Sequence, residues 1–145
     1  HYEDIMFKMF KLKNFNSNYI FDKLFFDESD LKKLDNHGHL VGLHSHNHPT
    51  LIEKLNYQEQ KNEYEKSQSI ISKILNKPKN EIKFMSHPCG SYNNLTFKVL
   101  KDLGIELGFK SIMTIEEERG MKTINNTPLE IARQDHTEII KIINK

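Results

Sequence analysis

Three histidines, His44, His46 and His48, alternate within "GHLVGLHSHNHPTL", residues 38–51, a stretch that holds four of the chain's eight histidines. His44 and His48 are four apart. In a helical turn or tight loop, positions i and i+4 share one side. Both imidazoles can then reach one metal ion, which takes histidine nitrogens at about 2.0–2.1 Å. His46 points elsewhere if the segment curls, and Pro49 restricts the residue before it and helps to fix the turn. Two imidazoles do not make a catalytic zinc site, which usually has three protein ligands and a water. The third must come from elsewhere. The competing reading is a set of polar loop histidines with ordinary partners, because His-x-x-x-His alone is a weak signal.

A second stretch, "FMSHPCGSYN" at residues 84–93, also follows an apolar run. Pro88, Gly90, Tyr92 and Asn93 predict a tight turn entering a helix, with Ser91 or Asn93 as N-cap. Backbone N–H groups in such a turn can be aimed at a developing oxyanion. It reads equally as a plain strand-to-helix connection. A third stretch, "LEIARQDHTEII", places His136 beside Asp135 after another apolar run. A histidine there can act as a general acid oriented by a carboxylate.

These stretches must be positioned by elements around them. "HLVGL" (39–43), "EIKFMS", "IELGFKS" and "PLEIAR" read as short buried strands. Residues 2–12 read as a short helix and 13–20 as an Asn-rich loop. "DESDLKKLDNHGH" (27–39) reads as a short helix capped by Asp27 or Ser29, with Leu31 and Leu34 inward and Gly38 just past its end. The longest helix is predicted over 57–76, with Tyr57, Tyr64, Ile71, Ile74 and Leu75 on one face and Pro78 ending it. "NNLTFKVLKDLG" reads as a helix stopped by Gly104, residues 114–127 as loop, and "HTEIIKIIN" as a last helix. Strands alternating with helices predict a parallel α/β architecture, in which sites gather at the carboxyl ends of strands.

With 145 residues, the chain is expected to form one domain over 1–145. No apolar run approaches the roughly 18 residues of a transmembrane helix. The net charge is +1, and the 21 basic residues include only two arginines, Arg119 and Arg133. This counts against a nucleic-acid partner, which arginine usually contacts. Cys89 is the single cysteine, so no intrachain disulfide forms, and a reducing compartment is favoured.

Together the three stretches resemble the NodB-homology polysaccharide deacetylases, metal-dependent carbohydrate esterases. "GLHSHNHPTL" is similar to the family motif His-Ser/Thr-x-x-x-His-Pro-x-Leu, after a Gly-His-x-x-Gly lead-in matched by Gly38, His39 and Gly42. "HPCGSYN" is similar to its Pro-Tyr-Gly turn followed by Ser-Tyr-Asn. The combination, over roughly residues 28–143, is closest to a branch associated with surface-polysaccharide and lipopolysaccharide biosynthesis.

The resemblance implies a partial, distorted (β/α) barrel that lacks the first strands, and removal of acetyl from an N-acetylated carbohydrate. It implies that His44 and His48 bind a divalent metal, zinc being expected. It implies that the Cys89 backbone N–H helps to hold the oxyanion, that Pro88, Gly90 and Tyr92 meet substrate, and that His136 protonates the leaving amine. Two departures stand out. The family's Thr-Phe-Asp-Asp-Gly motif, source of the third ligand and the catalytic base, is absent. Ser86 stands where many members carry the arginine that orients the catalytic aspartate.

The expectation is therefore the C-terminal part of a deacetylase domain, with residues 1–27 a family-specific insertion. Alone it should be inactive. It would bind metal weakly, through two histidines and water or with His46 or His87 moving in, and its open sheet edges would make it associate, as a homodimer, or rearrange. The alternative is a non-catalytic carbohydrate- or metal-binding module, with Tyr92 and Phe109 as sugar platforms. A third possibility is an unrelated α/β domain with chance histidines.

Overall fold

The structure is a computed structural model; it describes residues 2–16, 23–111, 127–133, 139, 140 and 143. The final helix is thus described only at Ile139, Ile140 and Ile143, which are helical, and the predicted 114–126 loop lies outside the described residues.

Among the described residues the helices with complete bounds are, in chain order, α1 (Tyr2–Leu12), α2 (Glu28–Asn36), α3 (Tyr57–Leu75) and α4 (Asn94–Asp102). Two strands, β1 (Phe84–Ser86) and β2 (Leu107–Phe109), pair in parallel with Phe84 opposite Leu107 and Ser86 opposite Phe109. Single-residue parallel bridges extend the sheet on both sides, Leu43 to Met85 and Phe109 to Ile131. Four successive staves therefore run in sequence order and in one direction. Parallel neighbours need a crossover, and α3 and α4 supply two of them.

Helices α2, α3 and α4 begin where a side chain can take the first free backbone N–H groups. Asp27, Asn56 and Asn93 each accept from the third residue of their helix, and the return bond closes a capping box. Asn76 enters the left-handed region at φ 53° and ends α3 two residues before Pro78. The stop is therefore a C-terminal turn rather than the proline.

The paired segments are shorter than the apolar runs predict. In "HLVGL" only Leu43 pairs, donating to the Phe84 carbonyl at 2.8 Å and accepting from Ser86 at 2.9 Å. In "PLEIAR" residues Pro128–Glu130 form a 3-10 turn, and Ile131 alone joins β2. Pro128 has no N–H for a ladder, while the Thr127 hydroxyl accepts from Leu129 and the Glu130 carboxylate accepts the Thr127 N–H at 3.0 Å.

The core lies between the sheet and the α3–α4 pair: Leu43, Ile52, Tyr64, Met85, Phe97, Val99, Leu100 and Leu129 are all buried. α2 packs on α3, with Asp35 ion-paired to Lys77. α1 buries none of its residues.

Candidate metal site and acyl-transfer turn

His44 leaves the sheet immediately after Leu43, so the pairing of Leu43 with β1 aims it. Its Nδ1 lies 2.9 Å from both the carbonyl oxygen and the hydroxyl of Ser86, the last residue of β1. A carbonyl only accepts, so Nδ1 carries the proton and Nε2 keeps its lone pair. That Nε2 faces the Nε2 of His48 at 3.1 Å, with the ring centroids 4.9 Å apart. Two nitrogens on one ion at 2.0–2.1 Å, subtending ordinary coordination angles, lie roughly 3.0–3.4 Å apart. The pair is therefore spaced to share one cation, and imidazole nitrogens suit zinc and its neighbours.

The intervening loop is not helical. Ser45 and His48 both take left-handed backbone conformations, with φ 62° and 54°. Each costs an L-residue on the order of 1–2 kcal/mol. The Ser45 hydroxyl accepts the His48 N–H at 3.1 Å and closes the loop from within.

Among the described residues no third His, Cys, Asp or Glu completes a ligand set. His46 and His87, the other two histidines nearby, each have other contacts. His46 has its N–H bound to Glu63. His87 is buried, with Nε2 2.7 Å from the Leu129 carbonyl and Nδ1 enclosed without a partner. Burial lowers the His87 pKa to about 4, against the smaller pull of the Leu129 carbonyl and Glu130, so the ring is neutral.

The second stretch forms the expected turn. Cys89 and Gly90 take positive φ, 51° and 72°, and Ser91 N–H returns to the Pro88 carbonyl at 2.9 Å. The turn is tied to the 52–54 turn: Ser91 Oγ accepts from Glu53 N–H, and Asn93 Nδ2 donates to the Glu53 carbonyl at 2.8 Å. Pro88 and Gly90 are buried, while Cys89 is exposed. Tyr92 stacks on His87 at 4.3 Å and leans on Phe97, with its hydroxyl enclosed. Burial, followed by the nearby Glu130 carboxylate, pushes that hydroxyl up to about 12. His136 lies outside the described residues.

Beside His44 opens a cavity of about 380 Å³, lined by Leu43, Phe84, Met85, Ser86, Phe109 and Arg133 among others. Arg133 spans its rim, its Nε donating to the Lys110 carbonyl at 2.8 Å. Sequence reasoning singled out neither Arg133 nor Glu63. Their partners lie 23 and 16–17 residues away, beyond any local pattern.

The family model for polysaccharide deacetylase matches residues 3–108. No curated protein sequence matches the chain. Among solved structures, the Streptococcus pyogenes deacetylase PplD, in complex with acetate, superposes with a TM-score of 0.61 at 23% identity. The match covers 74% of this chain and 43% of that one. The BpsB deacetylase domain of Bordetella bronchiseptica superposes with a TM-score of 0.58 at 18% identity, covering 76% of this chain and 48% of that one. The chain thus spans less than half of either structure, and its four staves are part of the same α/β barrel. With the family model covering well over half of its residues, the chain belongs to the polysaccharide deacetylase family.

Proposed function

We propose that the chain contributes the two-histidine half of a divalent-metal site to the deacetylation of an N-acetylated sugar in a polysaccharide. The observation that carries this reading is the 3.1 Å approach of His44 Nε2 to His48 Nε2, with the His44 tautomer fixed by Ser86. Family membership supports the reaction class.

The chemistry a divalent cation supplies when bound is polarisation of an amide carbonyl and acidification of water. His44 and His48 hold the cation. The Ser86 carbonyl keeps the His44 proton on Nδ1, so that Nε2 stays a ligand. The turn around Cys89 presents its backbone N–H to the oxyanion that develops as the acetyl carbon becomes tetrahedral; such a donor is typically worth about 2.7–4 kcal/mol. His136 protonates the departing amine. The cavity beside His44 receives the acetylated sugar. With no third ligand among the described residues, the chain alone should bind metal more weakly than a complete site and turn over little substrate.

The test is a zinc titration of the purified chain beside His44→Ala and His48→Ala, followed by acetate release from N-acetylglucosamine oligomers with and without chelator. One zinc per chain, lost in both variants, supports the reading. Equal affinity in the parent and His48→Ala overturns it.

A further inference from the structure

The loop from His44 to His48 is an unlikely shape for its sequence. Two non-glycine residues, Ser45 and His48, sit in the left-handed region, and His48 does so immediately before Pro49. Without outside support such a loop relaxes, and the two imidazoles part. The internal Ser45–His48 bond fixes only one end.

The rest of the support comes from one side chain on α3. Glu63 Oε2 accepts two successive backbone N–H groups, His46 at 3.1 Å and Asn47 at 2.8 Å. Its Oε1 accepts the Asn47 side-chain amide at 2.7 Å. One carboxylate therefore grips the middle of the loop at three points, with charge-assisted bonds. Burial works against the Glu63 charge, yet the Asn47 and His46 donors outweigh it and hold the carboxyl below its usual range. The helix beneath cannot turn. Tyr64, the next residue, is fully buried in the core, and the Asn56 capping box fixes the start of α3.

We propose that Glu63 is the positioning residue of the histidine pair: it clamps the 45–48 loop in the form that presents both Nε2 atoms to one divalent cation. This rests on reading His44 and His48 as metal ligands. Glu63 itself touches neither imidazole and takes no part in ligation. It acts as the outer-shell partners of metal sites do, by fixing the backbone that carries the ligands.

The experiment uses the full chain and cobalt(II), read by its visible absorption and by zinc competition. It compares the parent with Glu63→Ala, Glu63→Gln, Glu63→Asp and His48→Ala. Glu63→Ala is expected to lose roughly 10–100-fold in cobalt affinity, the range for outer-shell substitutions. Its absorption should shift, and amide exchange at His46 and Asn47 should accelerate. Glu63→Gln keeps an acceptor oxygen for both N–H groups and should recover most of the affinity.

Folded Glu63→Ala that binds cobalt within twofold of the parent, while His48→Ala does not bind, overturns the proposal and leaves the metal reading intact. Glu63→Gln losing as much as Glu63→Ala also overturns it. If Glu63→Ala fails to fold, Glu63→Asp decides. Its carboxylate is one methylene too short to reach the loop, and unchanged affinity there refutes the clamp. Equal affinity in the parent and His48→Ala instead removes the metal reading itself.

Discussion

Gly42 stands two residues before His44, where the incoming segment crosses β1. A Cβ built there would lie 2.6 Å from the Phe84 carbonyl oxygen and 2.9 Å from its carbon. Both are backbone atoms, so no side chain can swing away. Even a close carbon–oxygen contact is about 3.3 Å, so Gly42→Ala must push the two segments apart by roughly 0.7 Å. The same Phe84 carbonyl accepts the Leu43 N–H at 2.8 Å, and that bond would stretch out of the normal range.

Overpacking of this kind costs about 1–3 kcal/mol, and the stiffer unfolded chain returns about 0.4–1. The net loss is on the order of 1–2 kcal/mol. For a chain of this size that lowers Tm by roughly 2–8 °C. The displacement also reaches His44, whose Nε2 must stay within a few tenths of an ångström of its place. Zinc affinity should therefore fall about tenfold or more.

Gly108→Ala is the matched control. Its Cβ would meet the Leu129 carbonyl at 2.6 Å, on the far side of β2 from the histidines. It should lower Tm by a similar amount while leaving zinc affinity within about threefold of the parent, a small effect next to the tenfold scale of outer-shell changes. Circular-dichroism melts and competitive zinc titrations of the three proteins measure both quantities. The reasoning fails if Gly42→Ala melts with the parent, or if Gly108→Ala loses as much zinc affinity as Gly42→Ala.

Gln68 is buried on α3, and its amide nitrogen donates to the carbonyls of Leu103 at 2.9 Å and Lys79 at 3.1 Å. Gln68→Leu strands both acceptors and should cost about 2–4 kcal/mol; an unchanged urea midpoint would count against this. His87 titrates at about 4 when folded, against an ordinary 6.5. The unfolded chain takes the proton first, so this contribution is complete above 6.5 and disappears as pH falls towards 4. It amounts to roughly 3 kcal/mol. His87→Phe keeps a ring against Tyr92 and should flatten the stability slope across that window, measured by urea unfolding at several pH values; an unaltered slope would show that His87 is not its source.

What the sequence made legible follows from the range of the interactions concerned. Helix starts at Asp27 and Asn93 are set by side chains that accept the N–H three residues on, and local spacing shows them. The i, i+4 relation of His44 and His48 is equally local, and the two rings it pairs have their Nε2 atoms 3.1 Å apart. The left-handed backbone that achieves this was not legible, because neither serine nor histidine favours it in isolation. Apolar runs marked every stave but not its length. Pairing depends on a partner tens of residues away, and only three residues, or one, find it. "PLE" reads as the start of a strand, although with Thr127 before it the Thr-x-x-Glu spacing is itself a capping signature, and the structure uses it as one.

Short staves create a shortage that α3 resolves. Ladders three residues long satisfy few backbone groups, which leaves the carbonyls of the connecting turns to find donors elsewhere. The face of α3 around Tyr64 looked from its apolar spacing like a simple hydrophobic stripe, yet Gln60, Ser67 and Gln68 are buried on it. Gln60 donates to the Leu55 carbonyl at 2.9 Å and accepts from the Thr96 hydroxyl at 2.7 Å, joining the turn before α3 to the start of α4. Gln68 gathers the turns that lead into β1 and β2. Glu63, at the rim of the same face, holds the histidine loop. One helix thus acts as an apolar wedge and as a row of polar staples. The site stands on loops, but the loops are bonded to a rigid element, and that lets two exposed imidazoles keep a 3.1 Å approach.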